Sequence, residues 1–515
     1  MSTARFQVLV VGSGFGGSLM AMVARRLGFS TGLIERGKHP RFVIGESTTP
    51  LTNLLLEELA MEYDLPAVKP LTKWGRWQRQ LPQLACGLKR GFTFYQHEWD
   101  RPYVVEDGRK TQLLVGASPR DEIADTHWYR PDFDRYLVEQ AQALGVDYMD
   151  QVDLTEATEL PDGMRFAATR QGQRLEIDAD LVIDATGARG FLFRLLRLPE
   201  KSFAMLPPTQ ALFSHFTGVG ALPVCFGIVG RVPPYPPEDA AVHHVFRGGW
   251  IWVLKFNNGI TSAGIAATDA TAKQLELTSG EAGWRRLLER LPSLREIFGC
   301  ARSVVPFVYQ PRLAFHCGQV TGKNWVLLPS AAGVVDPLLS TGFPLTLLGI
   351  RRIGRMLRYD QEGDSWSRAL KEYADITSLE LETTADLVGA LYTTMDRFEL
   401  FKALSLLYFA AASFSEVSRR LGKAQLADSF LLCRDPEFGP QLKRLCAAAR
   451  QARSAEDQER LKKAILEAIA PFDLAGLTDI SRDPWYPARG EDILANAGKL
   501  GASPQELARL LTREQ

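Results

Sequence analysis

The residues with the clearest chemical use lie at 6–36, FQVLVVGSGFGGSLMAMVARRLGFSTGLIER. Gly12, Gly14 and Gly17 keep the G-x-G-x-x-G spacing, with Phe15 and Gly16 between the last two. In such a loop the first glycine permits a tight turn, the second lets the main chain approach a pyrophosphate, and the third lets a helix pack on a strand. Free N–H groups and the dipole at the helix start attract phosphate. Glu35 stands near the ~20-residue spacing at which a carboxylate accepts hydrogen bonds from a ribose hydroxyl, and Arg36 follows it. The chemistry announced is binding of an adenine dinucleotide. The loop by itself names neither the dinucleotide nor a reaction.

The surrounding elements must hold that loop. The β-branched run 7–11 predicts a buried parallel strand, 18–27 a helix and 30–34 a second strand, a βαβ unit. Residues 36–50 are rich in turn formers and predict a loop, with a helix over 52–61. Phe92 and Phe94 alternate within 86–96 as on a strand. Asp132 can cap a helix with Phe133, Tyr136, Leu137 and Leu144 on its apolar face, and Arg130 sits just ahead of it. A strand over 175–185 ends in Asp184-Ala185-Thr186-Gly187, small residues that admit a ligand to the backbone. Residues 205–310 are dominated by alternating and aromatic runs, and 325–328 returns to a buried strand. From 375 onward the period is helical, over 378–395, 398–420 and 454–470. Residues 481–490 predict a proline-broken loop with Trp485 and Tyr486 exposed.

The fold class expected is α/β. A Rossmann-like dinucleotide domain is formed by 1–80, 110–204 and 306–374. A β-sheet substrate domain (81–109 and 205–305) is inserted into it, and a helical region (375–515) follows. A length of 515 residues suits two or three domains. Formal net charge is +0, which argues against nucleic acid or a polybasic membrane surface as partner. The six cysteines form no C-x-x-C pair, so no metal site is expected and reduced thiols in a cytoplasmic protein are. The first strand begins at once, leaving no room for a signal peptide. The apolar run 400–414 carries Lys402 and is too short to span a bilayer, so no transmembrane segment is expected.

Taken together, the motifs resemble the FAD-dependent halogenases and their aromatic-hydroxylase relatives over roughly residues 5–375. The glycine fingerprint matches, as do Pro40-Arg41 and Gly45-Glu46-Ser47 in the loop after the second strand. Arg130, Asp184-Ala185-Thr186-Gly187 and Asp336-Pro337-Leu338-Leu339-Ser340-Thr341-Gly342 match in order. The resemblance implies that FAD is held by Gly12, Gly14, Phe15, Gly16, Gly17, Glu35, Arg36, Arg41, Gly45, Glu46, Ser47, Arg130, Asp184, Thr186, Gly187, Ser330, Asp336 and Gly342. It also implies a halide at Ser340, Thr341 and Gly342. Gly249-Trp250-Ile251-Trp252 is similar to the family's G-W-x-W, so Trp250 and Trp252, with Pro337, would wall the flavin or a substrate tunnel. The family's following Ile-Pro is replaced by Leu254-Lys255, and Pro329-Ser330 stands where many flavoproteins carry Gly-Asp.

Lys89-Arg90-Gly91-Phe92 falls where halogenases carry their lysine. The resemblance implies that FADH₂ from a separate NAD(P)H-flavin reductase, with O₂ and chloride or bromide, yields hypohalous acid. Lys89 would then pass the oxidant to an electron-rich aromatic small molecule, free or tethered to a carrier. A buried ammonium can donate a hydrogen bond to that oxidant or react to a haloamine. Tryptophan halogenases place a glutamate where this chain has Leu339, which favours a phenolic or pyrrolic substrate. Three other readings stay open at this stage: a FAD aromatic monooxygenase, a FAD-dependent isoprenoid reductase, and a flavin-binding partner module without catalysis.

Overall fold

A computed structural model gives the fold and describes residues 2–104, 108–222, 232–359 and 363–513. Cys225 lies outside the described residues. Strand β1 (Ser2–Val11), helix α1 (Phe15–Arg26) and strand β2 (Thr31–Ile34) form the βαβ unit, with β1 and β2 parallel from Val8↔Thr31 to Val11↔Ile34. Close approach dictates its glycines. A Cβ on Gly17 would stand 1.8 Å from the Gly12 carbonyl oxygen, and Gly12 itself has φ +97°.

Helix α2 (Pro50–Glu62) opens on Thr49, whose Oγ1 accepts from the Thr52 N–H at 3.1 Å, with proline in the first turn. Strand β3 (Cys86–Lys89) is followed after one residue by β4 (Gly91–His97), then by β5 (Gln112–Gly116) and β6 (Asp125–Trp128). β3 pairs only with β6, as a two-stranded antiparallel ribbon. Helix α3 (Arg130–Ala143) starts two residues before Asp132, because Pro131 fits a first helical turn and Tyr129 takes the cap position. Next come β7 (Asp147–Met149) and β8 (Gln173–Asp184), the latter parallel to β1 along its length.

The aromatic middle of the chain supplies β9 (Thr209–Thr217), β10 (Ala241–Phe246), β11 (Gly249–Lys255) and β12 (Thr261–Thr268). β13 (Trp325–Leu327) rejoins the first sheet beside β8, in the order β13-β8-β1-β2-β7. The longest helices that follow are α4 (Gly342–Met356), α5 (Gly363–Thr394), α6 (Phe398–Arg420), α7 (Phe438–Gln451) and α8 (Ala455–Ile469). A last short strand, β14 (Trp485–Tyr486), completes the second sheet, ordered β9-β12-β11-β10-β4-β5-β14. The architecture is mixed α/β, with a parallel Rossmann-like sheet, a second largely antiparallel sheet and a helical C-terminal region.

Two placements differ from the sequence expectation. β5 pairs with β4 in the second sheet rather than joining the dinucleotide-binding part. Trp485 and Tyr486 are buried, not exposed: the Trp485 Nε1–H donates to Gln112 Oε1 at 3.1 Å, and their strand covers the sheet edge beside β5. The apolar run at 400–414 lies in α6, as expected for the helical period over 398–420, and α6 is the one helix among the described residues long and apolar enough to cross a membrane. It is a core helix here, since 83% of its apolar window is buried and its Lys402 donates to both oxygens of Asp483 at 3.0 Å.

Trp485 is 1% exposed although it arrives from the far end of the chain. Trp485→Ala is expected to cost about 3–5 kcal/mol, read as a lower midpoint in chemical denaturation. A change within error would show that β14 does not help hold the second sheet.

Candidate active site

The loops at the carboxyl ends of β1, β2 and β8 face β10 and β11 of the second sheet across a cavity of about 390 Å³, a volume typical of ligand sites. Ala241 and His243 of β10 and Trp250, Trp252 and Leu254 of β11 reach it, alternate residues of a strand sharing one face. The cavity has a cationic end and an apolar end.

The cationic end lies over the glycine loop. Gly14, at the N-terminus of α1, has no side-chain cap, and a Cβ there would stand 3.6 Å from the guanidinium groups of both Arg41 and Arg130. Arg130 is 5% exposed; its Nε and Nη2 donate to Asp134 at 2.8 Å each and its Nη1 to the Gly45 carbonyl at 2.8 Å. Arg41 pairs with Glu35 at 3.3 Å, and its buried Nε–H has no hydrogen-bond partner among the described residues. Two fixed cations, an unmatched N–H and free helix amides are donors for a pyrophosphate. The residues present therefore fit a dinucleotide cofactor.

Glu35 accepts from the Ser13 N–H at 3.0 Å and the Gly37 N–H at 2.8 Å. Burial pushes its carboxyl up, but Arg41 and these N–H groups outweigh that and hold it below the usual range. Gly12, Gly17 and Glu35 lie beneath the loop rather than on the cavity wall, and Arg36 is exposed and points outside it. Asp184 is likewise behind the wall. Its oxygens accept from the Thr186 N–H at 2.8 Å and the Leu192 N–H at 2.7 Å, which shapes the turn that carries Thr186 and Gly187 to the cavity.

Beyond Gly45, which adjoins Arg130, Glu46, Ser47, Ser330, Asp336 and Pro337 also line the space. Glu46 Oε1 meets His215 Nε2 at 2.7 Å with both side chains 1% exposed, tying the loop to β9. Trp250 and Trp252 stand 5.7 Å apart between ring centroids and wall one side. In the 336–342 turn, Leu339 and Ser340 take φ +67° and +56°, two successive left-handed residues. Such strain persists only where surrounding contacts fix it. Here Asp336 Oδ1 accepts from the Leu338 N–H at 2.9 Å, and the turn delivers Ser340, Thr341 and Gly342 to the cavity at the start of α4.

Sequence reasoning missed the support for that turn. The Tyr392 hydroxyl of α5 donates to Asp336 Oδ2 at 2.9 Å and accepts from the Trp250 Nε1–H at 3.1 Å. One phenol thus joins the strained turn, the tryptophan wall and the C-terminal helices. Burial pushes the Asp336 carboxyl up to about 6, against the hydrogen bonds from Leu338 and Tyr392. His243 was also passed over. It lines the cavity, stacks on Phe94 at 4.5 Å and is held neutral by burial, its pKa pushed down to about 3.

Lys89 stands one side chain behind the cavity wall. It is 0% exposed, and its Nζ donates to Ser47 Oγ at 2.9 Å and to the Thr48 carbonyl at 2.5 Å. The same Nζ lies 3.7 Å from the centre of the Phe92 ring. Around Phe92 gather Phe94, His243, Tyr408 and Phe409, the last two from α6. Burial drives the Lys89 pKa down, and the Asp125 carboxylate opposes that fall.

A Rossmann-like fold, a cationic groove over a glycine loop and a buried lysine beside an aromatic cluster define a flavoprotein-type site. Residues 126–401, more than half of the chain, match the family described as tryptophan halogenase, and the chain belongs to that family. It is a flavin-dependent enzyme of the halogenase type. The monodechloroaminopyrrolnitrin halogenase PrnC of Pseudomonas fluorescens is 29% identical over 411 residues, spanning 78% of this chain and 70% of that one. The tetracycline 7-halogenase of Kitasatospora aureofaciens is 27% identical over 79% of this chain and 73% of its own. The halogenase PltM, solved with phloroglucinol and FAD, shares the fold with a TM-score of 0.82 at 23% identity, covering 94% of this chain and 99% of that one.

Tyr392→Phe leaves Asp336 Oδ2 and Trp250 Nε1 without their shared partner. It is expected to lower unfolding stability by about 1–3 kcal/mol, measured by thermal or chemical denaturation. A neutral result would mean that the phenol does not brace the turn.

Proposed function

We propose that the chain uses reduced FAD, O₂ and chloride or bromide to halogenate an electron-rich phenolic or pyrrolic ring, with Lys89 as the residue that delivers the oxidant. The observation that carries this reading is the placement of Lys89. Its ammonium touches Ser47, a cavity-lining residue, on one side and the Phe92 face on the other. Bound in its reduced form, FAD supplies the two-electron activation of O₂ by which a halide becomes hypohalous acid. Arg41, Arg130 and the α1 amides hold the phosphates, Trp250 and Trp252 wall the ring end, and the amides at the start of α4, beside Ser340, Thr341 and Gly342, attract the halide. Lys89 donates a hydrogen bond to the hypohalous oxygen, which makes the halogen more electrophilic. The ring carbon gives its electrons to the halogen; its proton leaves with the hydroxide, so that ArH and HOX become ArX and water. The aromatic side chains that face the cavity, Trp250, Trp252 and Phe343, suit a flat electron-rich substrate. Leu339, buried in the turn, puts no carboxylate beside it, which supports a non-indole substrate.

With no second glycine fingerprint in the chain, reduced FAD comes from a separate NAD(P)H-flavin reductase. The carrier-protein pyrrole chlorinase of Pseudomonas fluorescens strain Pf-5, 26% identical to this chain, supports a carrier-tethered substrate as an option. The test is mass spectrometry after incubation with FAD, a flavin reductase, NADH, bromide and a panel of phenols and pyrroles, where brominated product is expected. Oxygenated product that is indifferent to halide would overturn the halogenase reading in favour of a monooxygenase. Lys89→Ala is expected to lower halogenation at least ~100-fold while FAD titration stays as in the parent. Halogenation at the parent rate would remove Lys89 from the mechanism.

A further inference from the structure

Lys89 poses an electrostatic problem that its hydrogen bonds do not solve. Its two oxygen partners, Ser47 Oγ and the Thr48 carbonyl, are neutral. A wholly buried ammonium held only by neutral groups tends to lose its proton, and a neutral amine cannot serve as the charged donor required above. The strained turn offers no countercharge, since Asp336 is engaged with Leu338 and Tyr392, and position 339 is leucine.

Asp125 meets the requirement. β3 and β6 pair with Lys89 directly opposite Asp125, so both side chains leave the ribbon on one face. Lys89 is 0% and Asp125 2% exposed. Asp125 Oδ1 accepts from Asn53 Nδ2 at 2.7 Å, and Oδ2 has no hydrogen-bond partner among the described residues. His127 of β6 and His243 of β10 also face Lys89, and burial keeps both neutral. Lys73, together with Glu416 and Tyr408 of α6, faces Asp125. Asp125 is thus the acidic group acting on Lys89 among the described residues.

We propose that Asp125 is the positioning residue for Lys89: its buried carboxylate, opposite the lysine on the β3–β6 ribbon and steadied by Asn53, keeps Lys89 an ammonium at working pH. The inference rests on the reading of Lys89 as the residue that delivers the oxidant. The two groups titrate as a pair. Removing the carboxylate removes what holds the lysine's proton, so the ammonium is lost at a lower pH.

The test is Asp125→Asn, which keeps the size of the side chain and an acceptor for Asn53. The first readout uses flavin-free protein: carbamylation of Lys89 by cyanate across pH, followed by peptide mass spectrometry. Its midpoint is expected to fall by about one pH unit or more. The second readout is the pH profile of halogenation with chemically reduced FAD in excess, whose alkaline limb is expected to move down by a similar amount. An unchanged labelling midpoint overturns the role of Asp125. Lys89→Ala separates the two readings. If it keeps halogenating while the labelling midpoint of Asp125→Asn still falls, the pairing stands and the delivery reading is lost. If it is inactive and the midpoint does not move, the delivery reading stands and the pairing is lost. Should Asp125→Asn fail to fold, Asn53→Ala weakens the same carboxylate and is expected to shift the midpoint in the same direction by a smaller amount; no shift there overturns the inference.

Discussion

A carboxylate taken out of water must be surrounded by donors, and that requirement shapes the whole rim of the cavity. Glu35 gathers Ser13, Gly37 and Arg41; Asp134 grips Arg130; Asp184 holds Thr186 and Leu192; Glu46 meets His215; Asp336 binds Leu338 and Tyr392. Glu35 and Asp184 sit where a strand gives way to loop, Glu46 and Asp336 lie within loops and Asp134 lies inside α3, and each helps to fix a stretch of the cavity wall. Fully hydrogen-bonded networks of this kind rigidify what they join. The loops around the cavity are therefore set by the protein's own bonds, and of the acids expected at a cofactor Glu46 and Asp336 line the cavity while Glu35 and Asp184 stand behind its wall.

The site divides its work along the cavity. The first sheet supplies a cationic end through Arg41, Arg130 and the amides of α1, suited to phosphates. The second sheet supplies an aromatic wall, which Tyr392 of α5 braces from behind through Trp250, while Leu381 of the same helix reaches the cavity. Lys89 belongs to neither large sheet. It stands on the small β3–β6 ribbon, between the cavity and the aromatic cluster, with a hydroxyl of the 45–47 loop as its nearest link to the cavity.

Much of this was legible in the sequence because it is encoded in short windows. Glycine spacing, period-two runs and helical period predicted the βαβ unit, the strands that carry Trp250 and Trp252, and the long C-terminal helices. The motif order brought Gly14, Arg41, Glu46, Arg130, Gly187, Ser330 and Gly342 together, and all of them line one cavity. Other residues were misread because their environment is not local. Trp485 looks exposed beside its prolines, yet its partner Gln112 lies 373 residues away in sequence. β5 reads as part of the first domain until its pairing with β4 is seen.

What the sequence by itself determined was the class of ligand and the types of element, because a Cβ-free turn and an alternating strand follow from covalent geometry over a few residues. Tertiary structure alone decided which groups meet across long separations: Tyr392 under Asp336, Lys89 behind Ser47, and Asp125 opposite Lys89. The physical reason is that a buried charge takes its properties from whatever packs around it, and no local pattern in the chain records that packing. The glycine loop could be read in isolation; the state of the lysine could be read only from the fold.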